Sequence, residues 1–553
     1  MEALQSILAS ISDILWGWPL VVILVGTGIY LTLKLGFPQF RMFRHSWRVI
    51  TGHYDDPEDE GDINHFQALS AALSATIGIG NIAGVATAVH WGGPGALFWM
   101  WITAVFGMAT KFTTCTLGHK YRTIHPDGSA SGGPMYSIER GLGSKWKPLA
   151  ILFATLALIT SLGTPNLVQS NTVAVSLQRD FGIAPNFTGI VMAILVAVVI
   201  IGGIRRIGRV ASRLVPFMAT IYVIGALIIL GANYANIIPA FGLIFENAFT
   251  RTAEIGGFFG SAWIVTLTWG VKRGLFSNEA GLGSAPIAHA AAKTKESVRE
   301  GVVAMVGPFI DTIIICSLTG LVLVTTGVWH EKFDDVLEGQ YLQELTFYQG
   351  AVIPQNIDSR TPFTGKIQVQ DGYAAREFTV FHETGTVDNF RFQDRESVTE
   401  YVPFSGTLVI DETGQIAETQ PPAADLILTG EVALTGAELT AQGFSRGLPG
   451  RWGNYIVSIG VILFAFSTAL AWSYYGDRSI EYLVGPRGIM PYRVIFVIFI
   501  FLGSVLTLNT VWTFADIAMG LMALPNLFAT LGLVNKVQKW TKTYTSVKHP
   551  ELR

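Results

Sequence analysis

Charge and cysteine are both scarce in this sequence, and each shortage excludes a class of protein. Asp, Glu, Lys and Arg make up only 14% of the 553 residues, whereas ordinary soluble domains carry about 25%. The two cysteines, Cys115 and Cys316, are too few for a disulfide framework or a cysteine-rich metal site. Both lie in apolar segments, where we expect buried, reduced and passive thiols. A soluble, cysteine-stabilised protein is therefore excluded.

Hydrophobic residues dominate instead. They make up half of the chain, and the mean hydropathy is +0.44. Many runs are long enough to cross a bilayer, which predicts an all-α polytopic membrane protein. The eleven apolar segments cover residues 14–35, 66–90, 95–120, 147–178, 184–204, 213–232, 254–290, 300–328, 453–483, 491–508 and 511–534.

Several functional signatures are missing as well. Residues 1–13 lack the basic region and the cleavage site of a secretory signal, so we expect no processing. There is no Walker motif for ATP, and nothing indicates a nucleic-acid partner. An intramembrane enzyme would need clustered His or Asp at mid-membrane. The histidines instead lie scattered near helix ends, at His53, His65, His90, His119 and His125.

The distribution of Lys and Arg predicts the orientation in the membrane. Basic residues concentrate in one set of short loops, around 41–48, 120–147, 205–213, 293–299 and 478–493, and in the tail 536–553. The alternate short loops hold little beyond Arg179 and Arg251. Because positive loops stay in the cytoplasm, we expect an external N-terminus and a cytoplasmic C-terminus.

The stretch 329–452 differs from the rest. Nineteen acidic and seven basic residues fall between Glu331 and Gly450, a net charge of −12 in a chain of net −3. Segments such as 366–370, 377–382 and 406–411 alternate apolar and polar residues between turn signals, which predicts β-strands. We expect a small extracytoplasmic β-rich domain. It is either a lid or docking module, or a tolerated insertion at an exposed point, and we favour the insertion.

Two apolar segments are interrupted by glycine. The second contains Gly78, Gly80 and Asn81, and the seventh contains Gly281 and Gly283. Such residues could permit close helix packing. They could also break the helix, and broken backbone survives in lipid only where it faces protein or a water-filled cavity.

The positions of the two interrupted segments favour the second explanation. Without the first helix, ten remain, and the interrupted ones begin each half of five. Corresponding interruptions in two halves are typical of an inverted-repeat transporter with a midplane site. The predicted divisions are 1–65 (extra helix and cytoplasmic loop), 66–232 (first repeat), 233–328 (start of the second repeat), 329–452 (insertion), 453–534 (rest of the second repeat) and 535–553 (cytoplasmic tail).

Polar residues elsewhere are expected to converge on these breaks. Gln169 and Asn171 lie in the fourth segment, and Asp311 lies mid-membrane in the eighth, where an ionisable residue is a functional candidate. Ser467 and Thr468 give adjacent hydroxyls that could complete the oxygen shell of a hard cation or simply bond to backbone.

Three charged residues lie near the second break. Lys272, Arg273 and Glu279 could form an inner ion-pair gate, or could pair within a water-lined vestibule. The sequence alone leaves both possibilities open.

Several long motifs carry a family resemblance. Residues 74–86, 92–101, 107–112, 132–136, 274–286 and 307–312 resemble the alanine or glycine:cation symporter family, in order along nearly all membrane segments. The resemblance implies a leucine-transporter-type five-plus-five inverted repeat with one extra N-terminal helix. It also implies Na⁺-driven uptake of alanine or glycine at the plasma membrane of a prokaryote, the inner membrane in a Gram-negative cell, and it is compatible with a monomer.

The resemblance also implies a set of site residues. Na⁺ would meet the carbonyls of Ser74 and Ile77, the hydroxyls of Ser467 and Thr468, and the nearby carbonyl of Phe464. The amino acid would meet Thr76, Gly78, Gly80, Asn81, Gln169, Phe276 and Trp472. The rings of Phe276 and Trp472 would bound a pocket too small for long side chains.

Two features depart from the family pattern. Thr114 stands where such proteins commonly carry a carboxylate, which leaves the partner of Lys111 open, and 329–452 lies outside the resemblance. A proton-coupled symporter with Asp311 as the carrier is the closest alternative. A channel or sensor of similar topology is a more distant one.

Overall fold

The computed structural model describes residues 11–549, apart from 13, 251–262, 340–341, 343–344, 351–360, 383–384, 398–399, 424 and 507–508. Within these residues, eight helices are long and apolar enough to cross a membrane. A ninth candidate is the pair His65–Thr76 and Gly80–Gly92, which is bent by 55°. The protein is thus a mostly helical, multi-span membrane protein, as predicted.

The α-helices of five residues or more are labelled here in chain order. They are α1 Trp18–Lys34, α2 Phe43–Ile50, α3 His65–Thr76, α4 Val85–Gly92, α5 Ala96–Lys120, α6 Lys147–Leu162, α7 Gln169–Phe181, α8 Pro185–Ile200, α9 Gly203–Ala232, α10 Ile237–Asn247, α11 Trp263–Asn278, α12 Ala285–His289, α13 Ser297–Ala304, α14 Ser317–Thr326, α15 Gly436–Gly447, α16 Trp452–Val484, α17 Ile489–Val505 and α18 Asn509–Thr543. Wider π-helical turns connect α3 to α4 (Gly80–Gly84), α6 to α7 (Gly163–Val168) and the α13 segment to α14 (Phe309–Cys316).

Most predicted segments coincide with these helices. The predicted count of eleven exceeds the eight or nine candidates because α8 has only 16 residues and because α11 and α12 are separate short helices. The start of the seventh segment, at 254, and Arg251 lie outside the described residues. The last helix runs past the predicted end at 534 to Thr543.

The start of α3 shows how local sequence sets a helix end. Asn64 accepts a hydrogen bond from the Gln67 backbone N–H (2.8 Å), and its own N–H donates to the Gln67 side chain (3.2 Å). This reciprocal capping box satisfies two amides that an unbonded helix start would leave open.

The 329–452 region contains the expected strands. They are β3 Lys332–Leu337, β4 Thr346–Gln349, β5 Gly365–Gln370, β6 Tyr373–Ala374, β7 Phe378–His382, β8 Gly385–Ser397, β9 Glu400–Pro403, β10 Gly406–Ile410, β11 Ile416–Gln420 and β12 Leu426–Ala433, after a short hairpin of β1 Thr123–Ile124 and β2 Ala130–Ser131. One sheet has the order β11-β10-β5-β6, and another has the order β3-β12-β8-β7-β4, with β9 on β8. All three predicted strand segments fall on strands, so the β-rich region is confirmed.

The end of this region is not β-structure. Helix α15 packs on the membrane helices, where its Thr440 hydroxyl donates to the Ile82 carbonyl (3.1 Å) and its fully buried Phe444 lies against Tyr222 (5.2 Å between ring centroids). We call the membrane side that carries 329–452 the insertion side. Helix α15 is therefore not a passive surface insertion, because it packs directly on the second apolar segment, the one that contains the first break.

The opposite side is closed by a buried charged cluster. Nδ1 of His65, the first residue of α3, and Nδ1 of His289, the last of α12, each lie 2.5 Å from one oxygen of Glu300. All three side chains are buried. Arg122 adds bonds to the carbonyls of Ala290 (2.9 Å) and Glu60 (2.8 Å). The two interrupted segments are thus joined at this end through α13.

We expect Glu300→Gln to destabilise the protein. The substitution removes the charge that two buried imidazoles share, and breaking such a pair costs about 3 kcal/mol. The apparent unfolding temperature of the solubilised protein should fall clearly below that of the wild type. The control is Glu331→Gln, which breaks a solvent-accessible pair with Arg446 that should contribute about 0–1 kcal/mol. Equal unfolding temperatures for the two variants would contradict a stabilising role for the cluster.

Candidate functional site

A small cavity lies between the two interrupted segments. Its volume is about 20 Å³, enough for about one water molecule. It is lined by Ala75, Thr76, Gly78, Gly80, Thr164, Pro165, Gln169, Phe276, Ser277, Glu279, Thr468, Trp472 and Met519. Six of the seven predicted substrate residues therefore lie around one cavity.

The first break frees backbone groups beside this cavity. Helix α3 stops at Thr76, and the Gly78 N–H, which has left the helix ladder, donates to the Asn81 side chain (2.9 Å). A Cβ at Gly78 would lie only 2.6 Å from the Thr468 hydroxyl. Glycine is required there because the backbone passes so close to α16.

The predicted cation residues form an oxygen cluster at the end of α3. The Ser467 hydroxyl donates to the carbonyls of Phe464 (2.9 Å) and Ser74 (3.3 Å), and the Thr468 hydroxyl donates to Ser74 (3.1 Å). Ile77 lies at the end of the same helix and is also fully buried. The cluster thus contains two carbonyls and two hydroxyls within reach of one another.

The second break follows α11. Glu279 has a left-handed backbone (φ 52°), and the next two glycines along the chain, Gly281 and Gly283, have φ values of 100° and 92°. A φ of 100° at Gly281 favours glycine, because residues with a side chain rarely adopt it. The freed Gly281 carbonyl accepts from Asn526 of α18 (2.8 Å).

Asp311 connects the two breaks. One carboxylate oxygen accepts from Asn81 Nδ2 (2.7 Å), and the other accepts from the hydroxyls of Ser277 (2.8 Å) and Thr312 (2.7 Å). Asn81 lies at the first break, and Ser277 lies in the last turn of α11, just before the second. Asn81 is therefore the predicted substrate residue that supports the break without lining the cavity.

The remaining predicted residues differ in their polar contacts. The Gln169 side chain is 5% exposed, and its Oε1 has no hydrogen-bond partner among the described residues. The Trp472 indole N–H donates to Glu279 (2.9 Å). The Thr76 hydroxyl bonds back to its own helix, at Leu73 (3.3 Å). The Phe276 ring lies next to Gly80, where an added Cβ would be 3.5 Å from Phe276 Cδ1.

Two other expectations fail. Asn171 does not join the site, because its amide bonds to the carbonyls of Gly503 (3.1 Å) and Leu506 (3.2 Å) and so ties α7 to α17. The proposed pairing of Lys272 and Arg273 with Glu279 is not what the structure shows. Glu279 accepts from Trp472 and Ser284, whereas both cations lie over the ring of Trp269, each at 5.4 Å.

The sequence reasoning missed part of the cavity wall. Thr164 and Pro165 belong to the π-helical turn between α6 and α7, and Met519 belongs to α18. The Gly163-Thr-Pro run inside a long apolar segment was a readable signal, because proline interrupts a helix. Met519 carries no comparable signal, since methionine is common in apolar helices.

A family model described as the sodium:alanine symporter family matches residues 1–352 and 403–552. The unmatched stretch is thus 353–402, narrower than the 329–452 expected to fall outside the resemblance.

Several relatives match along their whole length. The chain is 40% identical over 550 residues to the sodium/alanine symporter AgcS of Methanococcus maripaludis, covering 99% of each chain. It is 32% identical to the putative sodium/proton-dependent alanine carrier protein YrbD of Bacillus subtilis, covering 98% of this chain and 92% of the relative. It is 30% identical to the probable sodium/glutamine symporter GlnT of the same organism, covering 99% and 92%. This chain belongs to the sodium:alanine symporter family, a family of membrane transporters and not of enzymes.

Proposed function

We propose that this protein imports alanine or glycine by symport with Na⁺ around a site at the two helix breaks. The observation that supports this most directly is the position of the oxygen cluster. Thr468 belongs to the cluster and also lines the cavity with Thr76, Gly78, Gly80, Gln169, Phe276 and Trp472. A cation and a small zwitterion would therefore share one wall.

The proposed cation site consists of hard oxygen ligands. Na⁺ would bind the carbonyls of Ser74, Ile77 and Phe464 and the hydroxyls of Ser467 and Thr468. A desolvated hard cation prefers such oxygens, and the C-terminal end of α3 adds the negative end of the helix dipole. The hydroxyls would turn their lone pairs to the ion in place of their present backbone bonds.

The proposed substrate site lies across the first break. The amino-acid carboxylate would meet the amides from Gly78 to Asn81, where the following helical segment begins and the dipole is positive. Phe276 and Trp472 would limit the side chain to that of alanine or glycine. The cation fixes the same backbone that the carboxylate needs, so each ligand raises the affinity of the other by an equal factor.

The proposed fold is the five-plus-five inverted repeat with one extra helix. Helix α8 and the interrupted pair α11 and α12 supply two crossings beyond the nine candidates, which brings the total to eleven. An odd number of crossings puts the two termini on opposite sides of the membrane. Because the basic loops would stay in the cytoplasm, the N-terminus and the insertion side would lie outside and the C-terminus in the cytoplasm. The host membrane would be the plasma membrane of a prokaryote, and the predicted domain boundaries remain part of this proposal.

The driving force is large enough for uptake. One charge moved through 100 mV is worth about 2.3 kcal/mol, and a tenfold Na⁺ gradient adds about 1.4 kcal/mol. Together, about 3.7 kcal/mol would support a several-hundred-fold accumulation of a neutral amino acid. No ATP is needed.

Reconstituted protein tests this function directly. An inward Na⁺ gradient at fixed pH should drive uptake of labelled alanine, whereas a pH step in Na⁺-free buffer should not. Preloaded alanine should also accelerate exchange by counterflow, which a channel does not show. Uptake driven by the pH step alone would favour the proton-coupled alternative with Asp311 as carrier. A panel of competitors, including D-alanine and glutamine, would define the preferred substrate.

We expect Thr468→Ala to weaken Na⁺ activation more than alanine affinity. The variant loses one hydroxyl of the oxygen cluster, so the Na⁺ concentration for half-maximal uptake should rise by about tenfold, the effect of about 1.4 kcal/mol. The alanine KM at saturating Na⁺ should change much less.

Two further variants serve as controls. Thr468→Ser keeps the hydroxyl and should restore Na⁺ dependence. Thr325→Ala removes a buried membrane hydroxyl that bonds only within its own helix, to Leu321 (2.7 Å), and should leave transport unchanged. An unaltered Na⁺ dependence in Thr468→Ala would refute the cation site.

We expect the β-sheets to be dispensable and α15 to be essential. Leu337 and Leu428 are paired partners in neighbouring antiparallel strands, so residues 339–426 can be replaced by a two-residue Asn-Gly hairpin turn. That variant should transport. Deletion of 331–450 also removes α15, and should abolish transport in a protein that still elutes as a single species. Transport by the larger deletion would show that α15 is passive.

A further inference from the structure

Glu279 is the acidic residue among those that line the cavity. It ends the first half of the second broken helix, where its left-handed backbone (φ 52°) is unusual for a residue with a side chain. Backbone strain of this kind persists where the surrounding structure holds it, often at functional sites. The side chain is 5% exposed. The strained backbone thus holds a carboxylate at the cavity.

The hydrogen bonds of Glu279 leave part of its acceptor capacity open. One oxygen accepts from the Trp472 indole (2.9 Å), and the other accepts from the Ser284 hydroxyl (2.5 Å). An ionised carboxylate offers about four acceptor positions. Among the described residues, no salt bridge of 4.0 Å or less reaches Glu279, and the buried Lys111 ammonium acts on its charge from a longer distance. A buried carboxylate without a directly bonded cation is costly, so a cation that enters the cavity can still bind it.

Gln169 supplies a second acceptor on the same cavity. Its Oε1 is buried and lacks a partner among the described residues. A buried acceptor without a donor costs about 1–3 kcal/mol. The Glu279 carboxylate and Gln169 Oε1 therefore line the same small cavity, and neither has a full set of hydrogen-bond donors.

Helix α16 links this acceptor pair to the oxygen cluster. Thr468 of the cluster approaches the first break, and Trp472, one turn further along, donates to Glu279. Thr468, Glu279 and Gln169 all line the same cavity. The acceptor pair and the oxygen cluster are therefore neighbours on one cavity.

We propose that Glu279, assisted by Gln169 Oε1, binds the ammonium group of the substrate and so restricts transport to amino acids. This inference rests on the proposed function and extends it, because that proposal assigns no side chain to the ammonium. The ammonium donates to Glu279 and Gln169, while the carboxylate lies on the backbone amides near the cation. Each charge of the zwitterion then has an opposite charge beside it. A 2-hydroxy acid such as lactate leaves Glu279 unpaired and is rejected.

Equilibrium binding to the purified full-length protein tests this assignment. Labelled alanine is titrated at saturating Na⁺, L-lactate is used as a competitor, and Na⁺ binding is measured separately without substrate. Glu279→Gln should raise the alanine Kd by about 10- to 100-fold. The variant should also discriminate less between alanine and lactate, measured as a smaller ratio of the lactate Kd to the alanine Kd. Its Na⁺ affinity should stay within about twofold of the wild-type value.

Two variants separate substrate contact from a structural role. Ser284→Ala removes one hydrogen bond of Glu279 but keeps the charge, and should stay within about threefold of the wild-type Kd. Glu279→Asp keeps the charge on a shorter side chain and should fall between the wild type and Glu279→Gln. If Glu279→Gln does not fold, a raised Kd in Glu279→Asp with unchanged Na⁺ affinity supports the assignment, and an unchanged Kd overturns it.

The outcomes distinguish a failure of the proposed function from a failure of the Glu279 assignment alone. Wild-type protein that binds neither alanine nor glycine with Na⁺ overturns the proposed function, and this assignment with it. Wild-type binding with an unaltered Kd and unaltered lactate rejection in Glu279→Gln overturns the assignment alone. Equal loss in Ser284→Ala and Glu279→Gln likewise overturns it, because a structural role of the hydrogen-bonded turn then explains both.

Discussion

Backbone groups that leave a helix inside a membrane must find partners within the protein, because lipid offers none. Two apolar segments of this protein are interrupted, and side chains from other segments bind the freed groups. Asn81 accepts from the Gly78 amide, Asn526 donates to the Gly281 carbonyl, and Asp311 holds Asn81 and Ser277 together. The breaks are therefore held as one connected unit. Every feature of the proposed site depends on this support.

Contacts on both sides of the cavity join the interrupted segments to their neighbours. Toward the insertion side, α15 bonds to Ile82 in the π-helical turn of the first break. On the opposite side, Glu300 binds the imidazoles of His65 and His289 and so joins the N-terminal end of α3 to the C-terminal end of α12. The cavity thus lies between two sets of contacts, and both involve the interrupted segments.

Some of this architecture could be predicted from the sequence, and the reason is local. Gly78, Gly80, Gly281 and Gly283 are costly in a regular helix, and their corresponding positions in the two predicted halves favoured a break over close helix packing. The strand segments of the 329–452 region were equally readable. Contacts between distant segments could not be predicted in this way. Nothing in the local sequence distinguishes Asn171, which binds the backbone of α17, from Gln169, which lines the cavity. Helix α15 escaped notice for a similar reason, because a short helix within an acidic, strand-rich stretch is stabilised mainly by the membrane helices beneath it.

The ladder between β3 and β12 has a mechanical consequence. Its last pair joins Lys332 to Ala433, and α15 begins three residues later, at Gly436. The intervening Leu434 carbonyl accepts from His90 at the end of α4. Only Leu434 and Thr435 separate the ladder from α15, and Leu434 is itself bonded to α4. A shift of the sheets would therefore be passed to α15 and to its contact with Ile82, because no flexible linker lies between them.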